Sequence, residues 1–119
     1  MPLLQAWDIW TFDFSEEETH PAVVLGHPDR LNHPQIERVN VLLCTTLRGQ
    51  DAAERARRLK RNEVLLDEAD GLDWLTLVKC DAAFFVRKSG LYQRRGSVSR
   101  FRRAAISRVL AEALQLSFG

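Results

Sequence analysis

The chain has 119 residues, of which 45% are hydrophobic and 28% charged, with a formal net charge of +1. This length fits one compact domain over residues 1–119, and the composition excludes an intrinsically disordered chain. No apolar run approaches the length of a membrane span, and the first ten residues lack the basic start and small-residue cleavage site of a secretory signal. The sequence therefore predicts a cytoplasmic protein that does not enter a membrane.

The small net charge hides a segregation along the chain. Residues 1–37 contain seven acidic residues and one basic residue, whereas residues 82–119 contain eight basic residues and one acidic residue. Such blocks either neutralise one another in the fold or leave a basic groove for a polyanion such as RNA. Charge alone leaves both interpretations open.

The first half of the chain predicts three strands. The stretch WDIWTFDF (7–14) alternates and is rich in aromatic and β-branched residues, which is typical of a strand. PAVVLG (21–26) and RVNVLLCTT (38–46) are two further apolar strands. Between these two, residues 27–35 contain two prolines, so we expect a loop or at most one helical turn there.

The region from residue 51 to residue 88 predicts a short helix or solvated segment, followed by more strands. Residues 51–61 favour a helix but lack a continuous apolar face, so they are a short helix or a solvated segment. EVLLD (63–67) and WLTLVKC (74–80) are strands joined by the turn-like EADG. Residues 82–88 either continue the second of these strands or begin a new one.

The last part of the chain changes to a helical period. Ser97 or Ser99 can act as the N-cap of an amphipathic helix of about four turns. Its predicted apolar side consists of Phe101, Ala105, Val109, Ala113 and Leu116. About five short strands and one terminal helix indicate a mostly β fold with α, a small antiparallel barrel or rolled sheet covered by that helix.

Two cysteines, Cys44 and Cys80, lie within apolar strands. We interpret both as buried free thiols that act as small hydrophobic residues. A disulfide between neighbouring strands is an alternative. A zinc site that uses these cysteines with histidines has no recognisable ligand spacing in the sequence.

The segment LVKCD (77–81) carries an unusual charge pattern for an apolar strand. Because strand side chains alternate between faces, Lys79 and Asp81 are predicted to share one face. An opposite-charge pair of this kind is either a structural ion pair or part of a catalytic site. The residues alone favour the ion pair.

The order of several short motifs resembles the MazF/PemK family of toxins. The matching pieces are WDIWTFDF, HPAVVL, VNVLLCTT, LVKCD and ISRVLAEAL, in the family's order over nearly the whole chain. The resemblance implies an SH3-like barrel of the PemK/MazF/CcdB type, a homodimer and a cognate antitoxin as partner. It also implies an endoribonuclease that cleaves single-stranded RNA, including mRNA, with no metal or other cofactor.

The resemblance assigns catalytic roles to three residues. The KCD triplet is similar to the Arg-Cys-Asp triplet of PemK-like members, so Asp81 is the expected base and Lys79 replaces the arginine expected as the acid. His20 stands where many members have the arginine of an RPxVVL motif, and an imidazole can donate or accept a proton near neutral pH. The glycine-rich loop of the family is shortened here to SEEET (15–19).

The remaining expected contacts are with the phosphates of RNA. Thr45 and Thr46 match the Thr-Ser pair at the end of the family's third strand, and a threonine hydroxyl can donate a hydrogen bond to a phosphate oxygen. Arg48 and Arg87 complete the predicted RNA-phosphate contacts. Attack of the ribose 2′-OH would give a 2′,3′-cyclic phosphate and a 5′-hydroxyl.

Two alternative functions are compatible with the same barrel. The protein could bind and block a protein target without cleaving RNA, as gyrase-inhibiting relatives of this fold do, with LAEALQLSFG (110–119) as the binding segment. It could also be a degenerate family member kept as an interaction module. Fold alone does not separate these functions.

Overall fold

Six antiparallel strands form one curled sheet in the computed structural model, which describes residues 3–115. The strands are β1 (Asp8–Asp13), β2 (Thr19–Leu25), β3 (Arg38–Thr46), β4 (Glu63–Leu66), β5 (Thr76–Arg87) and β6 (Tyr92–Ser97). Their order across the sheet is β4-β5-β3-β2-β1-β6. The predicted strands and the barrel-like fold are confirmed, the segments predicted at 74–80 and 82–88 belong to one strand, Thr76–Arg87, and β6 is a strand that the sequence analysis missed.

Three helices accompany the sheet in the described residues: α1 (Pro28–Leu31), α2 (Ala52–Arg57) and α3 (Arg100–Ala113). The single turn of α1 and the short α2 agree with the expectations for residues 27–35 and 51–61. Two 3₁₀ turns, Glu68–Asp70 and Lys88–Gly90, connect strands. Within residues 3–115, each helix is too short or too polar to cross a membrane.

The α3 helix packs with a face rotated from the one that the sequence predicts, and Ala105 and Val109 belong to both faces. Ile106 is fully buried, whereas Phe101, placed on the predicted apolar side, is 68% exposed. Three neighbouring side chains pack against the core beside Ile106, namely Ala105, Val109 and Leu110. The predicted member Leu116 lies outside the described residues, as does most of the LQLSFG end of the chain.

The start of α3 explains this rotation of the helix. Arg102 donates hydrogen bonds to Asp67 Oδ1 at 2.6 Å and to Asp70 Oδ2 at 2.5 Å, which attaches the first turn to the 3₁₀ turn before β5. Hydrogen bonds from Arg102 lower the pKa of Asp67 to about 2. Ser99 is the N-cap residue, but its hydroxyl caps no backbone group, and its N–H donates to Asp70 Oδ1 at 2.8 Å.

Alternating side chains of the sheet fill two separate core clusters, one on each face. The first cluster, under α3, contains Ile9, Val23, Leu42, Cys44, Val64, Leu66, Leu72, Val78, Cys80, Val98 and Ile106. The second contains Leu4, Trp10, Ala22, Val24, Leu31, Val39, Val41, Val86 and Leu91. Each fully buried aliphatic side chain contributes about 1.5–3 kcal/mol of transfer free energy, so both faces stabilise the sheet.

Both cysteines belong to the first cluster as free thiols. The prediction of buried free thiols is therefore confirmed, and the disulfide alternative is wrong. Burial raises the pKa of Cys80 to about 12 and also raises the pKa of Cys44. Both thiols are thus kept protonated and unreactive at neutral pH.

The strand pairing shifts register at two places. Cys44 pairs with Val78, so a regular ladder would pair Leu42 with residue 80, but Leu42 pairs with Ala83, which leaves three extra residues in β5. Similarly, Ile9 pairs with Gly96 while Thr11 pairs with Tyr92 rather than residue 94, which leaves two extra residues in β6. Such bulges re-aim side chains and are frequent beside functional sites.

Candidate functional site

Three adjacent strands bring His20, Thr45 and Lys79 to one face of the sheet. Ala22 of β2 pairs with Leu43 of β3, and the same register continued by two residues sets His20 opposite Thr45. Thr45 pairs in turn with Leu77 of β5, and Lys79 is the next residue of β5 on that face. Directly opposite side chains in such a ladder lie about 5 Å apart at Cβ, and diagonal neighbours such as Thr45 and Lys79 about 7–8 Å, so these groups form a diagonal row.

His20 lies at the half-buried end of this row, next to aromatic side chains. It pairs with Phe12 of β1, and its ring centroid lies 6.1 Å from that of Phe14. Phe14 also packs edge-on against Phe84 at 5.0 Å, and Phe84 is 42% exposed. The imidazole therefore has an apolar wall on one side and the strand ends on the other.

Lys79 is held by a buried carboxylate. Its Nζ forms an ion pair with Glu63, whose side chain is 0% exposed, and Arg55 Nη2 contacts the same Oε2 at 2.7 Å. Burial raises the pKa of Glu63, but hydrogen bonds from Lys79, the Lys60 N–H and Arg55 outweigh it and lower the pKa to about 2. Two cations share one carboxylate, so this Glu63 cluster keeps one net positive charge.

Asp81 has a separate partner. Its exposed carboxylate accepts a hydrogen bond from Asn62 Nδ2 at 2.5 Å, and in residues 3–115 no ion pair joins it to Lys79. The pairing of β5 with β3 is irregular between Val78 and Ala83, so Asp81 lies in the irregular part of the strand. We refer to His20, Thr45, Lys79 and Asp81 as the strand-end site.

Thr46 points to the opposite face from Thr45, so the predicted threonine pair is divided. It pairs with Thr76 of β5, and both side chains line a cleft of about 370 Å³ with Arg48 and Trp74. The guanidinium of Arg48 lies 5.2 Å from the centroid of the Trp74 ring. We call this second region the β6 cleft, because three residues of the β6 bulge, Gln93, Arg94 and Arg95, form its other wall.

The buried hydroxyl of Thr11 organises that wall. It donates to the Gln93 carbonyl at 3.0 Å and accepts a hydrogen bond from Arg95 Nε at 2.9 Å. Arg94 instead donates to Asp8 at 3.2 Å, whereas Arg95 has no acidic partner within 4.0 Å in the described chain. Sequence reasoning missed Trp74, Gln93 and Arg95; a basic run beside an aromatic residue was the available signal.

Arg87, predicted to contact RNA phosphate, lies far from the other predicted residues. It pairs with Arg38 at the start of β3, and its Nη1 lies 3.4 Å from a Glu37 carboxylate oxygen. Since Thr45 and Thr46 end the same strand, about 25 Å of β3 separates them from Arg87. In the described residues, no three His, Cys, Asp or Glu side chains are grouped so that they could hold a metal ion.

The geometry of the strand-end site suits acid–base chemistry on an anion. An exposed carboxylate, an imidazole, a hydroxyl donor and a fixed ammonium are the groups that phosphodiester transfer without a metal requires. The strands β5 and β2 flank β3, so Asp81 and His20 lie two strand spacings, about 10 Å, apart across the sheet. Asp81 also follows Leu77, the partner of Thr45, by four residues, so the two groups are displaced along the strands as well.

Solved structures of several bacterial toxins share this fold. An endoribonuclease from a mycobacterial species, in complex with its cognate antitoxin, matches with a TM-score of 0.74 and 21% identity over 100% of both chains. Mycobacterium tuberculosis toxin MazF-mt6 matches with a TM-score of 0.69 and 20% identity over 93% of this chain and 99% of the toxin. A MazE–MazF structure from Deinococcus radiodurans matches at 0.71 and 14% identity over 98% of this chain and 100% of that one.

Sequence comparison identifies the family. The family model of the PemK-like, MazF-like toxins of type II toxin–antitoxin systems matches residues 5–114. Among curated protein sequences, none matches the chain. Because the family model covers nearly the whole chain, the protein belongs to the PemK-like, MazF-like toxins.

Proposed function

We propose that the protein is a cytoplasmic, homodimeric toxin that cleaves single-stranded RNA without a metal ion and is inhibited by a cognate antitoxin. The observation that carries this proposal is the row of His20, Thr45 and Lys79 on three adjacent strands of a chain that belongs to this toxin family. Structural neighbours are endoribonucleases, and one of them is bound to its antitoxin. This supports the same activity and the same kind of partner here.

The proposed reaction is an attack of the ribose 2′-OH on the adjacent phosphorus. Asp81 takes the proton from the 2′-OH, the new O–P bond forms, and the bond to the 5′-oxygen of the next nucleotide breaks. His20 in its protonated form gives a proton to that leaving oxygen. The products are a 2′,3′-cyclic phosphate and a 5′-hydroxyl. Asp81 takes one proton from the substrate, and His20 gives one to the leaving oxygen.

Lys79 and Thr45 stabilise the transition state in this proposal. The Glu63 carboxylate occupies one side of the Lys79 ammonium, which is itself partly exposed. An ammonium has three donors, so Lys79 can still donate to a phosphate oxygen while its position is fixed. Because the ion pair with Glu63 fixes the position of Lys79, we assign Lys79 to charge stabilisation and His20 to proton donation.

The test uses purified protein and a long single-stranded RNA of mixed sequence in the presence of EDTA. We expect cleavage, with 5′-hydroxyl and 2′,3′-cyclic phosphate ends, and no cleavage of DNA of the same sequence. His20→Ala and Asp81→Asn should each lower the cleavage rate about 10²–10⁴-fold, because each removes a group that transfers a proton.

Matched controls separate chemistry from folding. His33→Ala and Asp51→Asn change the same residue types at exposed positions outside the strand-end site and should cleave at the wild-type rate. All four variants should keep the wild-type melting temperature. RNA that stays intact with the wild-type protein would contradict the proposed activity, and growth arrest on expression would then favour a protein target.

A further inference from the structure

The β6 cleft is a second basic region that the strand-end chemistry does not use. Its wall carries Arg95, whose Nε is fixed by Thr11 and whose terminal nitrogens have no acidic partner among the described residues. Thr46 and Thr76 line the same space, and the Thr76 hydroxyl donates to the Trp74 carbonyl at 3.0 Å, which leaves the Thr46 hydroxyl as a donor. A guanidinium held at one nitrogen and open at the others, next to a hydroxyl donor, is a suitable arrangement for a phosphate group.

An exposed aromatic ring lies in the same cleft. Trp74 is 52% exposed, and Arg48 stacks near its ring at 5.2 Å. Tryptophan is usually well buried in a folded domain, so a half-exposed ring in a polar cleft is unusual. Aromatic rings paired with arginine form platforms on which the bases of single-stranded nucleic acids stack.

The cleft is also pre-formed. Gln93 has a positive φ of 43°, a conformation that costs free energy for a residue other than glycine. The hydrogen bond from the buried Thr11 hydroxyl to the Gln93 carbonyl holds this conformation. The Gln93 amide and the Asp73 carboxylate also line the cleft, and both can form hydrogen bonds with the edge of a base.

We propose that the β6 cleft binds a nucleotide of the RNA substrate that flanks the cleaved bond, with its phosphate on Arg95 and its base stacked on Trp74. The inference rests on the proposed function, because it assigns part of the same substrate. The strand-end site and the cleft are contiguous, since Thr45 belongs to the first and the next residue, Thr46, to the second. The RNA thus passes over the end of β3 from one face to the other.

The cleft favours RNA over an acidic peptide. A peptide carboxylate could bind Arg95, but it would leave the stacked Trp74–Arg48 pair without a planar partner. Asp73 would also repel a second carboxylate, whereas it can accept a hydrogen bond from an exocyclic amino group of a base. A nucleotide uses all of these groups together.

Binding can be measured separately from cleavage. The probe is a short fluorescein-labelled single-stranded RNA of random sequence in which every ribose is 2′-O-methylated, so that no 2′-OH can attack. We expect Trp74→Ala and Arg95→Gln each to weaken binding about tenfold, judged by fluorescence anisotropy. Trp74→Phe should retain most of the affinity, because it keeps a stacking surface.

Two controls on α3 match these changes. Phe101→Ala removes an exposed aromatic ring that also carries an arginine, Arg102, at 5.0 Å, and Arg108→Gln removes one exposed positive charge. Both should bind the probe like the wild type. With cleavable RNA, Trp74→Ala should raise KM with little change in kcat, because the stack contributes to ground-state and transition-state binding alike.

The possible outcomes distinguish the two proposals. If Trp74→Ala and Arg95→Gln bind and cleave like the wild type while His20→Ala is inactive, the cleft inference is wrong and the proposed function stands. If the wild type neither binds the probe nor cleaves RNA, both proposals fail. Displacement of the probe by polyglutamate, with the same dependence on Trp74, would overturn the RNA assignment in favour of an acidic peptide.

Discussion

The Glu63 cluster and the β6 cleft both gather arginine or lysine side chains, but they differ in how those charges are balanced. In the first, the buried Glu63 carboxylate is bound by Lys79, Arg55 and the Lys60 N–H. In the second, Arg95 is bound by a neutral threonine and has no acid within 4.0 Å in the described chain. The charges of the first set are largely satisfied within the fold, and in the second set Arg95 is available to a ligand, while Arg94 is paired with Asp8.

This difference gives a criterion for separating structural from functional charges. A cation paired with a buried carboxylate stabilises the fold when the pair is intact and costs several kcal/mol when one partner is removed. A cation whose hydrogen-bond partner is neutral keeps its positive charge available to bind a ligand. Loss of the Glu63 carboxylate should therefore act strongly on stability, and loss of the Arg95 guanidinium mainly on binding.

The largest expected effect comes from Glu63→Gln. Removing the carboxylate leaves Lys79 and Arg55 without a counter-charge, so we expect the free energy of unfolding to fall by about 3 kcal/mol. Urea denaturation at neutral pH measures this change. Glu54→Gln breaks the exposed ion pair with Arg58 at 2.9 Å and should cost less than about 0.5 kcal/mol. Equal losses in the two variants would contradict a structural role for the Glu63 cluster.

The pH dependence of stability should reveal the same cluster. The pKa of Glu63 is about 2 in the folded chain, below its ordinary value of 4.5. A lowered folded-state pKa gives stability that is complete above about pH 5 and is lost as the pH falls toward 2. The difference in unfolding free energy between wild type and Glu63→Gln should therefore shrink over that range. A difference that stays constant from neutral pH to about pH 2 would exclude the linkage.

A smaller effect on stability, joined to an effect on binding, is expected for Thr11→Val. The valine keeps the shape but removes the hydroxyl that holds Gln93 and Arg95, so unfolding free energy should fall by about 1 kcal/mol. Binding of the 2′-O-methylated RNA should also weaken several-fold, because Arg95 loses its fixed position. Thr19→Val, at an exposed threonine of β2, serves as the control. Unchanged RNA binding in Thr11→Val would show that Thr11 does not position Arg95.

Much of the fold could be predicted from local patterns. Residues 7–14 and 38–46 have strong alternation or high β-propensity, and they form β1 and β3 as expected. The β6 strand was missed because Tyr92–Ser97 contains two arginines and a glycine and only one strong β-former. Gly96 is required there because a Cβ would lie 2.1 Å from the Asp70 carbonyl oxygen, a contact between distant parts of the chain.

The candidate site was less predictable, because it depends on register. The sequence identifies Lys79 as unusual, but its partner Glu63 is 16 residues away and is brought opposite it only by the pairing of β4 with β5. The resemblance to the toxin family points to His20, Thr45 and Asp81 through short motifs. The predicted phosphate contacts include two residues of the β6 cleft, Thr46 and Arg48, but not those that come from the β6 bulge and from the loop before β5.

The three extra residues in β5 reverse the sidedness of that strand. Val78, before them, faces the core under α3, whereas Val86, after them, faces the core on the other side of the sheet. An odd number of inserted residues is what produces this inversion, so the KCD triplet lies at the point where one strand changes from one hydrophobic core to the other.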